Sequence, residues 1–308
     1  MKFHHILSSR FVSALFMTAL VILSSCVILV CTGCNNETDA PVTETPTTEE
    51  PTDEEPMTEE LTTEEAITEE LMTEEPTTES VSIEDFNWRD ADVVFVGDSI
   101  TSGRNTTKTY HSYLEDMGVF KSVRALGVGG SCISTQSDYG LEKKPLAQRY
   151  TTIPSADLIV IFMGTNDYGH ETPLGTISDT SDVSFYGALN VVVTGLREKH
   201  PNSRLVFITP LHRFGFGKSD LLGTKFTYDN LPNGCGHSLE DYVNAIKAVS
   251  EKNSIPVIDL FTLFPFTPEN SDDKVRYFPD GLHPNTAGHE LLAEMIFDQL
   301  ALIPNGSN

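Results

Sequence analysis

From Phe86 onward the chain alternates between two hydrophobic patterns. Short, nearly continuous apolar runs occur in "ADVVFVG" from Ala91, "SVRALGV" from Ser122, "ADLIVIFMG" from Ala156, "RLVFITP" from Arg204 and "IPVIDLF" from Ile255. Runs of this length, rich in Val, Ile, Leu and Phe, predict strands buried on both faces. Among and after them, apolar residues recur at helical spacing, most clearly over 182–200, 238–253 and 285–303. Ser238 with Asp241 three positions later, and Asn285, stand where helix-capping side chains belong. Strand alternating with helix predicts an α/β domain, a parallel sheet of five strands with helices on both faces.

The first 85 residues follow neither pattern. Lys2 and Arg10 accompany the apolar run "FVSALFMTALVILSSCVILV", and residues 1–34 read as an export signal. "VCTGC" before the polar "NNETDA" resembles a bacterial lipobox, with Gly33 before a Cys34 that would be cleaved and lipidated. Cys31 occupies the position where that motif prefers leucine. The rivals are a site ending at Cys26 and an uncleaved span, since about 20 apolar residues cross a bilayer. Each reading leaves the domain outside the cytoplasm of a bacterium, held at the membrane.

Residues 35–85 carry 19 acids with no Lys or Arg, and from Thr45 they repeat with a period of five in units such as "PMTEE", "LTTEE" and "AITEE". Such units lack the apolar surface to stack, and their charges repel, so the segment is expected to be a disordered, solvated linker. Fully extended, it would reach roughly 150 Å at about 3.1 Å per residue. Removing both N-terminal segments leaves a domain over 86–308 with 26 acids against 18 Lys and Arg. Neither the linker nor the domain has the basic surface that nucleic acid requires. Cys132 and Cys235 are read either as one disulfide or as two thiols.

In an open parallel sheet, ligands bind beyond the carboxyl ends of the strands, so the residues just after each strand are informative. Asp98 and Ser99 follow the first strand, Gly129 and Gly130 the second, and Asn166 and Asp167 the third. Each has a plain structural explanation: a helix cap at Ser99 or Thr101, a tight turn at "GVGG", a loop-stabilising Asn166. "GVGG" as half of a dinucleotide fingerprint lacks the third glycine. What favours chemistry is "FPDGLHPNTAGH" near the C-terminus. A nucleophilic serine needs a base, which imidazole supplies near neutral pH, and the base needs a carboxylate to fix its tautomer. His283 and Asp280 offer both, three residues apart, in a Gly/Pro-bounded loop before a helix.

"GDSIT", the glycine turn, "GTND" and "DGLHPN" together resemble the four signature blocks of the SGNH/GDSL hydrolase family, in the expected order over 91–303. The resemblance implies a three-layer, flavodoxin-like α/β sandwich and carboxylic ester hydrolysis without a metal or other cofactor. It casts Ser99 as nucleophile, with His283 and Asp280 as its supporting pair. The Ser99 amide, Gly130 and Asn166 would form the oxyanion hole. The chain departs from the family at Ala125, where asparagine is common, and at Ser131-Cys132, where Asp-Thr is common. Asp98 is too near Ser99 in sequence to orient a base, and is expected to hydrogen-bond its own loop; a helix is expected just after Ser99.

The stretch 211–237 is long and aperiodic and holds Phe214, Phe216, Phe226 and Tyr228, a composition suited to a lid or binding loop as well as to local packing. Arg104, His170, His212 and Arg213 are candidate rim contacts. The substrate class expected is a carbohydrate O-acetyl ester, small or polymeric. A lysophospholipid or short-chain lipid ester is the alternative within the enzyme class, and a non-catalytic carbohydrate-binding module the alternative outside it. No metal site is expected, because "HELLAE" lacks the second histidine of a zinc helix.

Overall fold

The computed structural model describes residues 86–137, 144–213, 231–265 and 271–305. The signal with Cys34, the linker and the four aromatic residues of the long loop lie outside the described residues. Five parallel strands, β1 (Asp92–Gly97), β2 (Ser122–Gly127), β3 (Leu158–Phe162), β4 (Arg204–Ile208) and β5 (Val257–Ile258), form one sheet in the order β2-β1-β3-β4-β5. The chain thus steps outward from β1 to β2, then crosses back to β3 and continues the other way. This is the flavodoxin-like order, and its switch point falls between β1 and β3.

Alternate residues of the central strands feed two separate cores. Val93, Phe95, Val160, Val206 and Ile208 pack on one face with Tyr110 and Leu114 of α1 (Tyr110–Asp116) and Leu292, Ile296 and Leu300 of the C-terminal helix (Thr286–Ala301). Val94, Val96, Ile159, Ile161, Leu205 and Phe207 pack on the other with Leu189, Val192 and Leu196 of Phe185–Lys199 and with Tyr242, Ile246 and Val249 of Leu239–Lys252. That double burial is why these strands carry unbroken apolar runs rather than alternation. Truncating one such side chain to alanine costs about 2–5 kcal/mol.

The expected caps form: Ser238 and Asp241 make a reciprocal capping box, and Asn285 accepts from the Gly288 amide. Ser184, not anticipated from the sequence, also caps its helix by accepting from the Gly187 amide. Two strands differ from expectation. β2 is an edge strand and only partly buried. β5 is shorter than its apolar run, because Asp259 leaves the sheet to cap a short helix at Leu260–Leu263, accepting from the Thr262 amide, and pairs with Lys247 at 2.5 Å.

The expected helix after Ser99 is also absent. Residues 98–105 form successive hydrogen-bonded turns, and α1 begins only at Tyr110. Gly103 at φ 84° and Asn105 at φ 65° adopt left-handed conformations that a right-handed helix excludes. These turns fold back tightly over the strand ends: a Cβ on Gly127 would lie 2.3 Å from the Ser102 nitrogen, and one on Gly97 would lie 1.9 Å from Thr101 Oγ1. Among the described residues no helix is long and apolar enough to cross a membrane.

Candidate active site

The switch point is where the chemistry-bearing side chains gather. Ser99 leaves the end of β1, and its Oγ lies 2.8 Å from His283 Nε2, across 184 positions of sequence. His283 Nδ1 lies 2.7 Å from Asp280 Oδ2. Asp280 also accepts the backbone amides of Leu282 and His283 on Oδ1, at 3.0 and 2.8 Å. A turn closed by the Gly281 amide on the Phe278 carbonyl, with Gly281 at φ 80°, brings carboxylate and imidazole to the same side. Ser99 and His283 are buried, at 5% and 2% exposure, so their hydrogen bond is shielded from water. Burial opposes ionisation of Asp280, but the imidazole and the two amides outweigh it and hold the carboxyl well below the usual carboxylate range.

The exits of β2 and β3 lie at the same edge of the sheet. After β2, the Ser131 amide donates to the Val128 carbonyl, closing a turn with Gly130 at φ 75°. Gly129 stands beside Ser99, where a Cβ would come 3.9 Å from that of the serine. Neither glycine amide, nor that of Ser99, makes a hydrogen bond among the described residues. Asn166, in a short helix at Thr165–Gly169 after β3, donates from Nδ2 to the Ser131 carbonyl at 3.1 Å and, at a longer 3.3 Å, to Asp98 Oδ2. Gly164 makes the entry to that helix possible with φ 122°. The structure therefore brings Ser99, His283, Asp280, Gly130 and Asn166 to one edge of the sheet.

Asp98 does what its position in sequence suggests, accepting the Ile100 amide on Oδ1 at 2.9 Å. Complete burial pushes its carboxyl up to about 6, against the pull of that amide and of the His283 and Arg149 charges. Asp167 is buried beside it and takes the Ile133 and Ser134 amides at 2.8 and 3.0 Å; burial raises its carboxyl to about 7 despite both bonds.

Residues 95–291 match the model of the GDSL-like lipase/acylhydrolase family. The chain belongs to that family. A solved structure from Lactobacillus plantarum is 32% identical, with a TM-score of 0.58, covering 68% of this chain and 94% of its own. A second, 29% identical with a TM-score of 0.65, covers 71% of this chain and 99% of its own. A possible lipase from Chitinophaga pinensis DSM 2588, 23% identical with a TM-score of 0.51 and coverage of 68% and 97%, shares the fold. No curated protein matches the chain. The protein is thus an esterase/lipase-like acyl hydrolase with the five-stranded parallel sheet of the GDSL fold.

Two residues of this GDSL-like hydrolase that local reasoning passes over bind the site from outside its motifs. Arg149 donates to the carbonyls of Gly97 and Leu126, at 2.8 and 3.3 Å, tying together the ends of β1 and β2; burial lowers its guanidinium to about 10. Asn105 donates from Nδ2 to Asp280 Oδ2 at 2.7 Å. The only local signal for Asn105 is a residue type that tolerates a left-handed turn.

The rim candidates separate. Arg104 is exposed. Arg213 is a correction: it is buried, donating to the Thr165 carbonyl at 2.9 Å and lying over the Tyr168 ring, and so supports the helix that carries Asn166. His212 packs against Phe261 with ring centres 4.1 Å apart and planes tilted by 37°, and His170 ends the Asn166 helix. No disulfide joins Cys132 and Cys235; the first is buried, and the second is exposed with Sγ 3.0 Å from the Glu171 carbonyl. Among the described residues no group of three or more His, Cys, Asp or Glu side chains is arranged to hold a metal ion.

Proposed function

We propose that the protein is an exported, membrane-anchored serine ester hydrolase that works through an acyl-Ser99 intermediate. The observation that carries this reading is the unbroken chain of hydrogen bonds from Ser99 Oγ through the His283 ring to Asp280. Asp280 holds the proton on Nδ1, so Nε2 faces Ser99 as an acceptor. On attack, Oγ bonds to the ester carbonyl carbon and its proton passes to Nε2. The carbonyl oxygen becomes an anion, which the amides of Ser99 and Gly130 and the Asn166 side chain stabilise. Asn166 joins by exchanging its longer bond to Asp98 for one to the oxyanion.

Collapse of the tetrahedral species expels the alcohol, which takes the proton from Nε2. Water then attacks acyl-Ser99, giving a proton to the same nitrogen; the acyl–Oγ bond breaks, Oγ takes that proton back from Nε2, and the carboxylic acid leaves. No redox change occurs and no further reactant is needed.

The substrate in this reading is an O-acetylated carbohydrate at the cell surface. The signal, the Cys34 lipidation motif and the acidic linker support that location, and the polar groups near Ser99 (the Ser102 hydroxyl and the Asn166 amide) suit a small acyl group and a hydroxyl-rich alcohol. Hydrolysis of p-nitrophenyl acetate by the full chain, against Ser99→Ala, tests the chemistry; equal rates would leave only a binding role. Acetylated oligosaccharides set against lysophospholipids test the substrate, and preference for the lipids would replace the carbohydrate assignment.

A further inference from the structure

Asn105 lies in the turns after β1, yet its side chain reaches the loop that ends 175 residues later at Asp280. The oxygen it binds, Oδ2, is the one that also holds His283 Nδ1, each at 2.7 Å. The neighbouring residues fasten the same two loops together. Thr106 Oγ1 lies 3.2 Å from Thr286 Oγ1, and the Thr107 amide and hydroxyl meet that oxygen at 3.1 Å each. A left-handed turn explains why asparagine is tolerated at φ 65°. It does not by itself require the amide to point at the carboxylate that supports the imidazole.

We propose that Asn105 is a positioning residue of the site: its amide holds Asp280 Oδ2 in line with the imidazole and tempers the pull of that oxygen on the Nδ1 proton. The proposal rests on His283 acting as the base. A carboxylate oxygen shared between two donors stabilises each less than it would one alone. The ionisable groups facing His283 are Asp280 from its own loop, Asp98 from the β1 exit and His289 from the C-terminal helix. Asn105 touches only the first of these among the described residues. Removing its amide therefore leaves more of the Asp280 charge for the imidazolium, and the base gains affinity for its proton.

Asn105→Gly is the informative variant, because glycine keeps the left-handed turn while deleting the donor. Asn105→Asp retains the shape and places a second carboxylate at the same point. The pKa of His283 is read in the full chain from its Cε1 proton by NMR titration, with the resonance assigned by its loss in His283→Gln. We expect a rise of about half a unit in Asn105→Gly and about one unit in Asn105→Asp. The acidic limb of kcat/KM for p-nitrophenyl acetate should move upward with it, and kcat/KM at neutral pH should fall roughly tenfold in Asn105→Gly. An unchanged or lowered His283 pKa in both variants overturns the proposal and leaves Asn105 as a turn residue. The NMR arm needs no turnover, so absence of esterase activity in the parent would count against the hydrolase reading while leaving this question decided separately.

Discussion

Asp98 and Asp280 lie on two different loops, the second bonded to His283 and the first acting on it only through charge, and they experience opposite environments. Asp98, at the exit of β1, is completely buried, and the Ile100 amide and the Asn166 side chain donate to it. Asp280, before the C-terminal helix, keeps a side chain 25% exposed and accepts from two amides, the Asn105 side chain and the imidazole. Burial wins at Asp98 and raises its carboxyl; the hydrogen bonds win at Asp280 and lower it. A carboxylate that steadies an imidazolium must stay ionised through the cycle, and only the second environment guarantees that. In the proposed mechanism the aspartate adjacent to Ser99 in sequence is thus the structural one, and the distant Asp280 is the one that bonds His283.

Substitutions that treat the two carboxyls alike should separate them. Asp280→Asn keeps the shape but allows the wrong imidazole tautomer, and kcat should fall by about 10⁴. Asn166→Ala removes one oxyanion donor and the partner of Asp98, for a loss of about 10²–10³ in kcat. Asp98→Asn should cost only about tenfold in kcat, because it disturbs Asn166 and the loop rather than the base. An Asp98→Asn loss as large as that of Asp280→Asn would erase the distinction.

Stability against pH sharpens the same contrast. The folded-state pKa of Asp98 is raised from 3.8 to about 6, so its contribution is fully present below the unfolded value and is lost as pH rises through about 6. Asp280 is lowered, so its contribution is present above 3.8 and is lost as pH falls. Denaturant melts of Asp98→Asn should show a flatter decline between pH 4 and 6, by about 3 kcal/mol. Asp280→Asn should flatten the acid side instead.

Much of this was legible in order along the chain. The apolar runs located the five strands because both sheet faces are covered, and the serine, glycine, asparagine and histidine blocks sit at strand exits or before a capped helix. What local pattern could not convey were contacts between distant loops. Arg149 ties to Gly97 across 52 positions and Asn105 to Asp280 across 175, and neither has a periodic signal. The helix expected after Ser99 failed because two left-handed residues interrupt it, one of them the asparagine that reaches Asp280. The early end of β5 follows from Asp259 finding a capping role and a lysine partner that its apolar neighbours do not announce.

In the proposed mechanism Ser99 carries an oxygen activated by the His283 it meets at 2.8 Å. Incubation of the full chain with a fluorophosphonate, followed by peptide mapping, tests it directly. A single phosphonyl adduct is expected on the peptide containing Ser99, absent in Ser99→Ala and formed at least about 100-fold more slowly in His283→Ala. An unlabelled chain, or labelling of Ser99 at the same rate without His283, would contradict it.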